Sequence, residues 1–301
     1  MERRNDWRAA SGRNLGTALA LITSYMVVEV VGGFMANSLA LLADAAHMVT
    51  DAASLGLALL ALWLASRPES FRFTFGLKRA EILSALLNAL SLWLLAAWIF
   101  WEAYRRFQHP PEVQGPLMLG VGFIGLLINV GAAWVLGRLA RENLNVEGAF
   151  LHVLGDLLGS IGVVAAALLI MSFGWFLADP IFGVIIGLLI LLSSTRLVWK
   201  TLQILMESTP SGVNLKRLCQ RLEEIEGVRG VHDIHVWSLT PSYKVLSAHV
   251  ITEVTPVNRG HLLHRVKEIA SQEFAIAHVT IQAEDSQDWC DERHHIAHED
   301  S

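Results

Sequence analysis

The chain has 301 residues, of which 53% are hydrophobic and 17% are charged, whereas a soluble domain carries about 25% charged residues. Its net charge of −5 provides no basic surface for nucleic acid, and its two cysteines, Cys219 and Cys290, cannot form a disulfide framework. Charged residues are scarce between residues 15 and 207 and regain an ordinary frequency from Ser208 onward. The composition therefore predicts a membrane domain followed by a small globular domain.

Six apolar segments precede Ser208, and each is long enough to cross a bilayer, because about 20 residues span the hydrocarbon core. They cover residues 15–36, 38–65, 80–107, 116–139, 146–174 and 177–205. We predict a polar N-terminal arm over residues 1–14 and a six-helix transmembrane bundle over residues 15–207.

Lysine and arginine are concentrated on one side of these spans. They stand in the N-terminal arm and in the second and fourth loops, at Arg3, Arg4, Arg8, Arg13, Arg67, Arg72, Lys78, Arg79, Arg138 and Arg141. On the other side, only Arg105 and Arg106 stand near a loop. Because cytoplasmic loops hold an excess of these residues, both termini are predicted to be cytoplasmic.

Residues 208–285 predict a cytoplasmic α+β domain of ferredoxin-like type. A leucine-rich helical stripe ends at Gly227, two β-like runs follow, and a second helix and a last strand complete the order αββαβ. A core of this size is modest, so pairing with a second copy would stabilise the domain. The tail, residues 286–301, is predicted to be flexible. Whether its ligand-type side chains bind metal or are simply solvated stays open for Cys290, His294, His295 and His298.

Ionisable residues inside a membrane span are costly and by default indicate a function. Four of them form a repeated pattern, His47-x-x-x-Asp51 in the second span and His152-x-x-x-Asp156 in the fifth. A spacing of four places each pair on one helix face, one turn apart. The others are Glu29, Asp44, Glu81, Glu102 and Asp179, of which the last three lie near helix ends, where snorkelling or loop contacts explain them.

The two pairs together have the composition of a metal site. His47 lies ten residues from Asn37, about 15 Å along a helix, so the pair reaches the middle of the bilayer. Two imidazoles and two carboxylates are a tetrahedral ligand set that Zn²⁺ accepts, and the carboxylates balance its charge. Interhelical hydrogen bonding is the structural alternative. We favour the metal site because composition predicts fewer than one such pair by chance.

Two segments resemble signatures of the cation diffusion facilitator family. GFMANSLALLADAAHMVTD, from Gly33 to Asp51, resembles its second-helix signature, and NLNVEGAFLHVLGD, from Asn143 to Asp156, resembles the fifth-helix counterpart. VHDIHVW from Val231 and HVTIQ from His278 extend the match over nearly the whole chain. The resemblance is to the bacterial zinc exporters of the family. It implies a homodimeric multi-pass protein of the bacterial inner membrane that exchanges Zn²⁺ for H⁺. Whether Cd²⁺ and Co²⁺ are also transported stays open.

The resemblance also implies specific ligands. It assigns the transport site to His47, Asp51, His152 and Asp156, and metal-binding positions in the cytoplasmic domain to His235, His249 and Glu284, with His232 and His278 as further candidates. Zn²⁺ is then both the transported substrate and a ligand of the cytoplasmic domain, although these histidines could equally be surface residues. Some members have another site between the second and third helices, but residues 66–76 contain no His or Asp, so we predict none there.

The sequence thus predicts a zinc efflux transporter that works by alternating access, and not an enzyme. Protons would compete with Zn²⁺ for the four ligands, because metal ligation requires deprotonated side chains. No G-x-x-x-x-G-K-[ST] motif is present, so transport would be driven by a gradient. An intramembrane metalloenzyme would need His-Glu-x-x-His, and a metal-sensing receptor would need a kinase or DNA-binding part; the sequence contains neither.

Overall fold

The structure, a computed structural model, describes residues 23–139, 144–253 and 256–285. The chain divides into two compact units. The first comprises Met1–Leu57 with Leu87–Leu197, and the second comprises Ala58–Leu86 with Val198–Ser301. The N-terminal arm, the start of the first predicted span and the histidine-containing tail lie outside the described residues.

Six helices follow one another before residue 206 in the described chain. They are α1 (Thr23–Ala36), α2 (Leu39–Ala65), α3 (Ala80–Gln108), α4 (Gly115–Leu139), α5 (Leu144–Phe173) and α6 (Ala178–Leu205). Helices α2 to α6 contain stretches long and apolar enough to cross a membrane, and the described part of α1 is a shorter apolar helix. Many of their large apolar side chains are exposed, as expected for helices surrounded by lipid, among them Leu59, Leu94, Trp134, Leu158 and Leu192.

Small residues allow the helices of the first unit to pack closely. Its buried core includes Ala40, Ala43, Ala166 and Ala167, and a Cβ at Gly122 of α4 would lie 2.6 Å from Val163 of α5. Membrane helices associate through such close contacts because lipid supplies no hydrophobic force between them.

A buried polar cluster fixes the start of α2. Asp179 of α6 is fully buried and accepts hydrogen bonds from the Ser38 hydroxyl at 2.6 Å and the Leu39 backbone N–H at 2.7 Å. The Arg106 guanidinium of α3 lies 3.2 Å from the same carboxylate. Asn37, with φ of 54°, separates α1 from α2 just before this cap. Asp179 therefore caps a helix, as anions do at N-termini, and does not snorkel to the interface.

The second unit contains a small mixed sheet. Its elements are α7 (Leu215–Glu223), β1 (Val228–Thr240), β2 (Tyr243–Thr252), α8 (Pro256–Phe274) and β3 (Ile276–Glu284). The strand order is β1-β2-β3, with β1 antiparallel and β3 parallel to β2. Leu218, Leu246, Val266 and Ile276 meet in its core. The fold class predicted from sequence, an apolar helical bundle with an αββαβ domain, is confirmed.

Candidate metal centre

Helices α2 and α5 bring the two His-x-x-x-Asp pairs together. Within the pairs, His47 Nε2 lies 3.7 Å from Asp51 Oδ2, and His152 Nε2 lies 3.8 Å from Asp156 Oδ2. Each imidazole also reaches the carboxylate of the other helix. The His47–Asp156 distance is 3.8 Å and the His152–Asp51 distance is 3.1 Å. These contacts connect the four side chains, which we call the transmembrane quartet.

The spacing of the quartet suits one small ion. Ligand atoms about 2.0–2.1 Å from a tetrahedral Zn²⁺ lie roughly 3.3 Å from one another. The four nitrogen–oxygen distances of the quartet, 3.1 to 3.8 Å, bracket that value, although the two imidazoles contact different oxygens of Asp156. Of the four residues, His47, His152 and Asp156 have ligand atoms that all lie within 4.8 Å of one another and could hold an ion together, and Asp51 contacts both histidines beside them. The imidazole rings stand nearly perpendicular, at 71° with centroids 5.8 Å apart, so their Nε2 atoms approach the centre from different directions.

The quartet is open on one side. His152 is 51% exposed and Asp51 is 31% exposed, while His47 and Asp156 are more enclosed. A cavity of about 270 Å³ adjoins the site, and α6 contributes Ile186, Ile190 and Arg196 to its walls. The ligands are therefore not sealed inside packed side chains of the described chain.

A second pair of carboxyl groups lies beside the quartet. Glu29 of α1 and Asp44 of α2 are both buried and interact with each other, and Asp44 also interacts with Asp156. The Tyr25 hydroxyl donates to Glu29 Oε1 at 2.9 Å, whereas Glu29 Oε2 has no hydrogen-bond partner among the described residues. Gly159 leaves room for Asp44, since a Cβ there would lie 3.1 Å from its Oδ1.

Sequence reasoning named Glu29 and Asp44 but missed the polar residues around them. Ser160, in contact with Asp44, accepts a hydrogen bond from Asn129 of α4 at 2.9 Å. Ser160 follows Asp156 by four residues and Tyr25 precedes Glu29 by four, so helical spacing was the signal that could have found them.

A second histidine–carboxylate cluster lies on the sheet of the second unit. His232 of β1 and His249 of β2 are direct partners across the antiparallel ladder, with ring centroids 5.2 Å apart. Glu284 of β3 reaches both, at 3.0 Å from His232 Nε2 and 2.9 Å from His249 Nδ1. These three residues form a group that could hold a metal ion, and we call it the sheet cluster.

The other two candidates of this domain lie outside the sheet cluster. The His235 side chain is 58% exposed and contacts Asp233 at 2.9 Å, and Asp233 in turn lies 3.7 Å from His249. His278 packs its ring against Phe75, with centroids 5.5 Å apart. Asp233, which sequence reasoning did not select, is thus the residue that connects His235 to the sheet cluster.

The cysteine among the described residues has no place in either cluster. Burial and the charge of Glu223 raise the pKa of the Cys219 thiol, and its side chain packs against the apolar core of the domain. Because the thiolate is the form that binds metal, the raised pKa disfavours metal binding by Cys219.

Comparisons with known proteins agree with both parts of the chain. Residues 15–206 match the family model of the cation efflux transmembrane domain, and residues 210–286 match that of the cation efflux protein cytoplasmic domain. The chain belongs to the cation efflux family. It is therefore a metal-cation transporter and not an enzyme, as predicted.

Curated members of the family resemble this cation efflux protein over most of their length. The cadmium, cobalt and zinc/H(+)-K(+) antiporter of Bacillus velezensis is 43% identical over 267 residues, which are 88% of this chain and 85% of that protein. The zinc transporter ZitB of Escherichia coli is 42% identical over 276 residues, 91% of this chain and 88% of its own. The metal cation efflux system protein CzcD of Cupriavidus metallidurans is 40% identical over 280 residues, 93% of this chain and 89% of its own.

Proposed function

We propose that this cation efflux protein exports Zn²⁺ from the bacterial cytoplasm in exchange for H⁺, by alternating access at the transmembrane quartet. The proposal places it in the inner membrane as a homodimer with both termini in the cytoplasm. Residues 15–207 would form the transport domain and residues 208–285 the cytoplasmic domain. The observation that supports it best is the convergence of two imidazoles and two carboxylates from α2 and α5, each imidazole within 3.8 Å of both carboxylates.

The ligand types favour zinc among divalent ions. Imidazole suits Zn²⁺ and its neighbours in the transition series, whereas all-oxygen sites suit Mg²⁺, Ca²⁺ and Mn²⁺. The names of these relatives include zinc, cadmium and cobalt, which agrees with a mixed nitrogen and oxygen site. We therefore propose Zn²⁺ as the main substrate and Cd²⁺ and Co²⁺ as further ones.

Exchange with protons follows from the chemistry of the ligands. Both histidines must lose any proton before their Nε2 atoms can bind the ion, and both carboxylates must be ionised. A high proton concentration on the outer side therefore displaces Zn²⁺ there. The name of the Bacillus velezensis relative includes H(+) antiport, in agreement with this coupling.

We further propose that the sheet cluster holds a resident Zn²⁺. His232, His249 and Glu284 supply two nitrogens and one oxygen, a donor set that fits zinc with a fourth position left open. When bound, the ion would cross-link all three strands of the sheet. Asp233 lies close enough to orient His249.

The proposal is tested by zinc uptake into proteoliposomes with an acidic interior. The wild type should accumulate Zn²⁺, and dissipating the pH gradient should stop accumulation. Asp156→Asn keeps the side-chain shape but removes one charged ligand, so it should transport at background rate. Glu112→Gln, which removes a carboxylate outside the quartet, is the matched control and should match the wild type. Wild-type flux from Asp156→Asn would contradict the assignment.

A further inference from the structure

The segment between α2 and α3 has an unusual composition for a short loop. Residues 66–79 contain four basic residues and three phenylalanines. The tip is a tight turn in which Ser70 and Phe73 exchange two backbone hydrogen bonds of 3.0 Å each. The Phe73 N–H also lies 3.2 Å from the Ser70 hydroxyl oxygen. Phe71 and Arg72 are therefore presented on a well-defined turn.

Two of the four basic residues are already neutralised within the second unit. Lys78 lies 3.0 Å from Glu69, and Arg79 lies 2.6 Å from Glu207. The first pair lies within the loop itself, and the second connects the end of the loop to Glu207, just after α6. They leave no positive charge free for another partner.

The other two basic residues, Arg67 and Arg72, have no carboxylate within ion-pair distance in the described chain. Both are exposed, and each guanidinium instead lies over an aromatic ring. Arg67 is 4.1 Å from the centroid of Trp63, and Arg72 is 5.8 Å from that of Phe73. Stacking leaves the N–H groups at the guanidinium edges available for an anion.

Phe71 is fully exposed, and Phe73 is 47% exposed. An aromatic ring held in water at a turn tip is unfavourable unless a partner covers it. Because the loop joins two membrane-spanning helices, it lies at the bilayer surface. Aromatic rings accumulate at this depth, where apolar acyl chains meet polar headgroups.

A cavity of about 570 Å³ adjoins the tip. Phe73, Phe75, Leu83 and Trp237 contribute apolar walls, and Arg72 contributes a basic edge. An occupant that matches this lining has an anionic end and an apolar body. A volume of this size is typical of small-ligand sites and would accept part of a lipid molecule.

We propose that Arg67, Phe71, Arg72 and the adjoining cavity bind an anionic phospholipid of the leaflet that faces the cytoplasm. Arg72, at the edge of the cavity, contacts the phosphate, which a guanidinium can bind bidentately. Arg67 supplies a second positive charge on the same loop, and Phe71 inserts beside the acyl chains. The orientation rests on the proposed function, but the binding itself does not require zinc transport. The cytoplasmic leaflet supplies the negative surface to which such basic residues are attracted.

The test is native mass spectrometry of the delipidated full-length protein, mixed with equal amounts of phosphatidylglycerol and phosphatidylcholine. The wild type should retain phosphatidylglycerol preferentially. Arg67→Gln combined with Arg72→Gln should weaken its retention about 30-fold, the factor that two basic residues contribute at an anionic surface. Phe71→Ser should also weaken it, because a lipid needs an apolar contact that a soluble anion does not.

Lys216→Gln combined with Arg217→Gln is the matched control, since it removes two exposed positive charges from α7 and should leave retention unchanged. Equal retention of both lipids by the wild type would overturn the proposal. So would equal losses in the two double variants, or full competition of inorganic phosphate with phosphatidylglycerol. A wild-type protein that retains phosphatidylglycerol but does not transport Zn²⁺ would instead count against the proposed function alone.

Discussion

The transmembrane quartet and the sheet cluster use the same side-chain types but are assembled differently. In the quartet, each helix supplies a His and an Asp one turn apart, so two elements complete the site. In the sheet cluster, three strands supply one residue each. The quartet opens onto a cavity, and its most exposed side chain, His152, is 51% exposed, whereas the most exposed side chain of the sheet cluster, His249, is 26% exposed and His232 and Glu284 are 6% and 9% exposed. An accessible site suits an ion that must leave, and an enclosed one suits an ion that stays.

The largest expected effect is a loss of zinc transport that removal of the quartet imidazoles causes and removal of the sheet-cluster imidazoles does not. His47→Ala combined with His152→Ala removes both nitrogen ligands and should reduce zinc flux more than about 100-fold. Loss of a residue that only hydrogen-bonds to a metal ligand already lowers metal affinity or activity by up to about 100-fold. The measurement is initial zinc uptake in proteoliposomes.

The matched variant is His232→Ala combined with His249→Ala, which removes the two imidazoles of the sheet cluster. We expect it to retain flux within a few-fold of the wild type. If it were as inactive as the quartet variant, the sheet cluster would belong to the transport path.

Zinc should stabilise the cytoplasmic domain through the sheet cluster. A ligand at about 100 times its Kd adds about 2.7 kcal/mol to the stability of the form that binds it. Thermal unfolding of the full chain, followed by a probe in the cytoplasmic domain, should shift upward with Zn²⁺ and back with a chelator. The shift should disappear in His232→Ala combined with His249→Ala. An undiminished shift there would place the stabilising ion elsewhere.

The metal ranking should change when the quartet loses a nitrogen. His47→Asp replaces an imidazole with a carboxylate, which favours harder ions such as Mn²⁺. We expect Mn²⁺ to compete with Zn²⁺ about tenfold better in this variant than in the wild type. Competition assays of zinc uptake measure it, and an unchanged ranking would show that His47 does not determine selectivity.

The smallest expected effect concerns the residue that supports the sheet cluster. Asp233→Asn preserves a side chain that tolerates the positive φ of 47° at this position but removes its charge. Zinc affinity of the sheet cluster should fall only about tenfold, at the low end of effects for orienting partners. Isothermal titration in a quartet-deficient background measures it. A loss as large as that from His249→Ala would make Asp233 a direct ligand.

The same contrast explains what could be predicted from the sequence. The quartet was predicted residue by residue, because helical spacing is regular and a charge in an apolar span is conspicuous. The αββαβ order was predicted because alternating and helical apolar patterns succeed one another after Ser208. The structure then brings these predicted quartet residues within 3.1 to 3.8 Å.

The sheet cluster could not be predicted in the same detail. His232 and His235 stand three residues apart, so regular alternation would place them on opposite faces, and sequence offers no basis for choosing one. A register shift between them, with Asp233 in the left-handed region, sets their positions. The pairing of His232 with His249, and the proximity of Glu284, depend on the strand register, which no local pattern encodes. The Asp179 cap on α2 likewise joins residues about 140 positions apart in sequence.

The central claim is that Zn²⁺ and protons compete for the quartet. Zinc titration of the detergent-solubilised protein in weak buffer measures it directly, through the protons released per ion bound. Both titrations use a His232→Ala plus His249→Ala background, so that zinc binding to the sheet cluster does not contribute protons. In this background we expect release of at least one proton per Zn²⁺ near neutral pH, declining as pH rises, and none when His47→Ala and His152→Ala are added. Proton release that persisted in this variant would show that carboxyl groups, including Glu29 and Asp44, supply the protons. Zinc binding to the wild-type quartet without any proton release would contradict exchange and leave a uniporter or channel.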